Sequence, residues 1–186
     1  MTFSKTKGIV IRQVTWGEQG KYIDLFTENG VKTIRTSTKN KNASVTGMLA
    51  YSEFVLTPSK DFYYIKEAEP IRIFYGLRED LDKLSLAFYF TKLARESNES
   101  ETLRLLLNSL HFLEKSKMSL PLLKAIFEIR LLTELGYAPL TIKGLEKTIK
   151  YIETAPIEKL WSFSTNNIEK LSEYSEICIG DFQEEI

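Results

Sequence analysis

The sequence predicts an α+β protein: a small β-barrel over residues 1–72, then an all-helical domain over 73–186. Two features of the pattern carry this. In the first 70 or so residues, β-branched and aromatic residues gather in short runs broken by turn residues. From about Gly76 onward, leucines recur at helical spacing instead. A third feature is charge. Residues 1–60 hold nine Lys/Arg against four Asp/Glu, and residues 61–186 hold sixteen against twenty-one, so a net charge of zero hides a basic front and an acidic back.

The predicted strands follow in order. Gly8 to Val14 is rich in Ile and Val, and Lys21 to Thr27 is the second run. Glu28-Asn29-Gly30 is a turn signal, because Asn and Gly tolerate positive φ. Val31 to Thr36 alternates, which places Lys32 and Arg35 on opposite faces of a regular strand. The polar stretch Ser37 to Ser44 reads as a long loop, and residues 43–50 as a short helical turn. Glu53 to Thr57 and Phe62 to Ile65 form a last pair around Pro58 to Asp61. Five short strands in this length suit a small closed or partly closed barrel.

The helical part opens with Leu77, Leu81, Leu84, Phe88 and Leu93. Asn98 to Glu101 has the form of a capping box ahead of a second helix through Leu113. Ser119-Leu120-Pro121 starts a third, with proline tolerated in the first turn, and Gly136 stops it. Further helices are expected near 143–153 and 167–179, the latter capped by Asn166 with Glu169.

Composition narrows the function. The 43% hydrophobic content is that of a globular chain. Cys178 is the only cysteine and His111 the only histidine, so neither a disulfide nor a structural zinc site is expected. Met1 to Lys7 leads directly into a short apolar run, and no run reaches the length of a membrane span, so a reducing cytoplasm is the expected compartment and no membrane the expected partner. There is no phosphate loop, dinucleotide fingerprint or nucleophile elbow. His111 reads as structural or solvated and Cys178 as a small packing residue, and the chain is read as a non-enzyme that needs no cofactor.

The basic residues of the front are Arg12, Lys21, Lys32, Arg35, Lys39 and Lys41. In a barrel of the oligonucleotide-binding type, strands two and three with their loops form the usual binding face, where cations neutralise phosphates. Trp16 and Tyr22 either offer a stacking surface to bases or serve as core and loop closure.

Several segments, in order, resemble the RecO family. They are Gly8 to Arg12, Gly17-Glu18, Leu25 to Glu28 with Gly30, Gly47 and Leu49, Tyr51 to Leu56, Tyr64 to Glu69, and Leu77 to Leu81. The most specific is Phe127 to Leu132 closing with Leu135 to Leu140. The resemblance covers about residues 1–140 and continues more weakly through Ile157 to Phe163. It implies an oligonucleotide-binding (OB) fold and a recombination mediator of the RecF pathway in the bacterial cytoplasm, associated with the nucleoid. Such a mediator acts in DNA repair after DNA damage, binds single- and double-stranded DNA and anneals complementary strands. With RecR it helps RecA load onto DNA coated by single-strand-binding protein (SSB), whose C-terminal tail it docks.

Two departures stand out. Many relatives carry a four-cysteine zinc module after the segment matching Leu135 to Leu140, whereas here Thr141 to Gly144 passes into a helix and the module is absent. The loop at 37–44 offers only Lys39 and Lys41, fewer cations than the arginine-rich form common in relatives. For the SSB tail, an apolar pocket rimmed by a cation is needed, and the candidates are Phe127 with Arg130, and Arg104, against the alternative that Phe127 is helix core and Arg130 a surface or structural ion pair. The rival reading is an adaptor that docks SSB or RecR with little DNA affinity of its own.

Overall fold

A computed structural model describes residues 3–16, 20–37, 44–97, 100–137 and 142–185. Five strands come first: β1 (Ser4–Trp16), β2 (Gly20–Thr27), β3 (Gly30–Ser37), β4 (Ala50–Pro58) and β5 (Tyr63–Ile73). They close into a barrel in the order β1-β2-β3-β5-β4. Neighbours are antiparallel except β3 and β5, which meet in parallel at Ile34↔Tyr63 and Arg35↔Tyr64. This is the barrel the sequence predicts, with longer strands.

The β2–β3 turn forms as its residues dictate. Gly30 has a φ of 81°, and the Thr27 hydroxyl donates to the Gly30 carbonyl (2.8 Å) while accepting from the Asn29 amide (3.1 Å). Of residues 43–50, expected as a short helical turn, 44–46 and 48–49 form turns, 47 a bend, and 50 begins β4. The Leu49 amide donates to the Val10 carbonyl (2.9 Å), and buried Leu49 takes a φ of 64°.

The unbroken apolar run Ile9-Val10-Ile11 follows from burial on two sides. Val10 joins Ile23, Leu25, Ile34, Phe54 and Leu56 inside the barrel. Ile9 and Ile11, with Phe26 from β2, join a separate cluster that includes Phe74, Leu77 and the helices. Gly8 sits at a close approach: a Cβ there would lie 2.6 Å from Leu25 Cγ and 2.8 Å from the Phe26 carbonyl oxygen. Gly8→Ala is therefore expected to destabilise the protein by about 1–3 kcal/mol through overpacking. Urea unfolding measures it, and a midpoint equal to wild type counts against this packing.

The helical part holds α1 (Leu81–Ser97), α2 (Ser100–Lys115), α3 (Leu120–Glu134), α4 (Glu146–Thr154) and α5 (Ile168–Glu185), with 3-10 turns at Tyr75–Glu79 and Ile157–Ser162. The expected capping box at 98–101 rests on Asn98 and Glu99, which lie outside the described residues. The buried stripe of α1 is Ala87, Phe90, Leu93 and Ala94, while Leu81 and Phe88 face outward. The ring of Phe90 stacks on Phe127 of α3 at 4.1 Å. Helix α3 ends at Gly136 (φ 79°), with the Gly136 amide donating to Thr133 and the Tyr137 amide to Leu132, a Schellman arrangement.

Barrel and helices are joined by Arg72 of β5, which donates to Glu114 of α2 (2.9 Å). The other Glu114 oxygen accepts from the Gly76 amide (3.1 Å). His111 contacts the same guanidinium at 2.5 Å, and burial together with Arg72 pushes its pKa down. This sets the single histidine at the contact between barrel and helices. Between α1 and α3, fully buried Glu128 accepts from the Tyr89 hydroxyl. Burial pushes this carboxyl up, against the pull of Ser175, Tyr89 and Lys124.

Candidate nucleic-acid interface

Register assembles a polar and aromatic surface on the outside of β1, β2 and β3. One row runs Arg12, Asp24, Thr33 across the strands, and the next runs Val14, Tyr22, Arg35. Both rows alternate with the inward Ile23 and Ile34, so they share the outer face. The parallel contact extends the second row to Tyr64 of β5.

The second row carries the aromatic chemistry. Tyr22 meets Phe62 edge-on at 6.1 Å, and Phe62 meets Tyr64 edge-on at 5.3 Å. The Arg35 guanidinium lies 5.7 Å from the centre of the Phe62 ring. Tyr64 is 43% exposed, so the ladder ends in a ring face open to solvent. A cation held over a ring beside an exposed ring can contact a phosphate and stack a base together.

The first row is an electrostatic clamp. Asp24 is only 7% exposed. One of its oxygens accepts from the Thr33 hydroxyl (2.9 Å). The other faces Arg12 of β1 (3.5 Å) and Arg95 of α1 (3.8 Å).

Among the described residues, the basic side chains singled out from sequence therefore do not share one face. Arg12 and Arg35 lie on the outer face. Lys21 and Lys32 pair with Thr36 and Leu25 and share the parity of the interior residues. Lys32 Nζ sits 5.1 Å from the centre of the Tyr63 ring, and burial pushes the half-buried Lys21 ammonium down. Trp16 closes β1 opposite Gly20, and its side chain is not among those described. Lys39 and Lys41 lie outside the described residues. Sequence reading missed Phe62, Tyr64, Lys92 and Arg95. The alternation Phe62-Tyr63-Tyr64 did hold a signal, since Tyr63 packs on the barrel core and its neighbours point away.

Of the residues considered for an acidic partner tail, Phe127 takes the core place of the alternative reading, and Arg130 a structural one. Phe127 is 0% exposed and stacked within the core, so it presents no surface to a partner. Arg130 donates to the backbone carbonyls of Glu153 and Ala155, closing the end of α4. Arg130 and Arg104 do line a common groove of about 400 Å³, but with Glu101, Glu134 and Glu158. Burial pushes the Glu134 carboxyl up to about 7. Glu101 and Glu158, with Glu134 partly ionised near neutrality, make this groove a poor seat for an acidic peptide. Among the described residues, no group of three or more His, Cys, Asp or Glu could hold a metal ion, and no helix is long and apolar enough to cross a membrane.

Comparison with known proteins adds to this geometry. Residues 1–74 match the pattern described as "Recombination protein O N terminal", and residues 78–145 match "Recombination protein O C terminal". The "DNA repair protein RecO" of Acetivibrio thermocellus is 38% identical over 149 residues, covering 75% of this chain and 59% of that protein. The same-named proteins of Alkaliphilus metalliredigens and Caldicellulosiruptor saccharolyticus are 32% and 33% identical, covering 73% and 75% of this chain and 59% and 61% of their own lengths. The chain thus spans about three-fifths of the length of the curated relatives it matches.

Proposed function

This chain belongs to the RecO family, and from that premise we propose that it binds single-stranded DNA on the outer face of β1–β3 and anneals complementary strands. In this reading it works as a recombination mediator in the bacterial cytoplasm. With RecR it acts on SSB-coated strands so that RecA can load, and it performs no covalent chemistry. The observation that supports it best is the Arg35–Phe62–Tyr64 ladder beside the Arg12 clamp. Cations there neutralise phosphates, while rings stack unpaired bases without reading sequence. The bases' pairing edges remain available, as annealing requires.

Single-stranded DNA binding by fluorescence anisotropy across a salt series tests this, with wild type beside a Lys39→Glu/Lys41→Glu double variant. Binding that weakens steeply with salt is expected. If each lysine neutralises one phosphate, the variant's log–log slope should be shallower by about 1.4, from about 0.7 per phosphate on single strands. No binding even at low salt would overturn the reading in favour of an adaptor that works through protein contacts alone.

A further inference from the structure

Two arginines from different parts of the chain converge on one carboxylate. Arg12 lies on β1 and Arg95 on α1, and both face the same Asp24 oxygen. Asp24 is in turn held by Thr33. One carboxylate between two guanidiniums leaves the cluster with an excess positive charge. Both contacts are long, at 3.5 and 3.8 Å, and both arginine side chains stay about half exposed, at 52% and 47%. Asp24 therefore brings the two cations together without consuming their capacity for a further anion.

Two cavities meet at this pair. One, of about 500 Å³, is walled by Val14, Tyr22 and Val31; the other, of about 440 Å³, by Met48, Phe88 and Lys92. Arg12 and Arg95 line both. Each volume falls in the range of a small-ligand site, and each combines apolar wall with cation. The first opens onto the Tyr22 row, two residues along the strand from Arg12's row and about 6.6 Å away. The second runs along α1 toward Lys92, whose ammonium lies 3.8 Å from Glu96 on the same wall; Arg12, Arg95 and Lys92 outnumber that one carboxylate, and Lys92 stays largely exposed.

We propose that Arg12 and Arg95 jointly seat one backbone phosphate of a single strand, and that the strand passes from the aromatic ladder of the barrel onto α1 past Lys92. This rests on the reading that the barrel face binds single-stranded DNA. It adds that the helical part supplies direct phosphate contacts, so the strand bridges the barrel and the helices. A nucleic acid fits better than an acidic peptide, because the charged seat adjoins a run of aromatic rings suited to stacking.

The test uses the full chain and an oligothymidylate probe in the same salt series. Variants are Arg95→Gln, Arg95→Lys, Lys92→Glu and, on the barrel alone, Arg35→Glu. Arg95→Gln is expected to weaken binding about tenfold at low salt and to flatten the slope by about 0.7, the share of one phosphate. Arg95→Lys retains the charge and should retain the slope, which a purely structural role for the guanidinium would not predict. Lys92→Glu should weaken binding at an unchanged thermal midpoint. If Arg35→Glu weakens binding while Arg95→Gln and Lys92→Glu leave affinity and slope at wild-type values, the bridging path is wrong and the barrel reading stands. If wild type itself fails to bind, the barrel reading falls first.

Discussion

An Arg35→Glu/Tyr64→Ala variant is expected to lose single-stranded DNA affinity by on the order of a hundredfold at low salt while keeping its fold. The magnitude follows from the roles of the two side chains. Truncating an aromatic ring under a base costs about 1–3 kcal/mol, and each 1.4 kcal/mol is a factor of about ten in affinity. Reversing the charge over Phe62 removes a phosphate contact and replaces it with repulsion. Tyr64 is 43% exposed, so its truncation leaves the barrel core intact. Anisotropy titration gives the affinity and thermal melting controls for folding. Near-wild-type affinity with the midpoint unchanged would remove the ladder from the binding surface. If affinity and midpoint drop together, the cause is unfolding.

The alternation of the front half made the barrel legible from sequence, because a period of two states which side chains face inward. Lys32 and Arg35 were correctly set on opposite faces by that rule. What the rule could not supply was closure. The parallel meeting of β3 with β5 places Tyr64 beside Arg35, and no local pattern marks a contact between residues so far apart in sequence. Arg95 was invisible for a related reason. On α1 it reads as one more exposed helix cation, and only the packing of α1 against β1 brings it to Asp24. Asp24 itself reads as the polar residue of an alternating strand, although its burial between two arginines makes it the centre of the cluster. The helical part was legible in its third helix, where proline and glycine mark both ends of α3. In α1 the phase was less clear, since Leu81 and Phe88 share helical spacing with the buried residues and yet face outward.

Phe127→Ala is expected to lower stability by about 3–5 kcal/mol, the usual cost of removing a fully buried aromatic ring. In a chain of this size the thermal midpoint should fall by roughly 10 °C. The ring is 0% exposed, stacks on Phe90 at 4.1 Å, and belongs to the cluster that holds all five helices together. Its stacking partner Phe90 is itself fully buried in the same cluster, so the surroundings have little freedom to refill the space. The same substitution separates a core residue from a docking residue. A ring that anchored an acidic tail would, on truncation, weaken peptide binding at an unchanged midpoint. A core ring lowers the midpoint first, and any loss of peptide binding follows the fraction unfolded. Urea unfolding and peptide titration on one preparation separate the two. A wild-type midpoint with lost peptide binding would return Phe127 to the surface. A collapsed midpoint, with peptide binding lost only in proportion to the fraction unfolded, keeps Phe127 in the core.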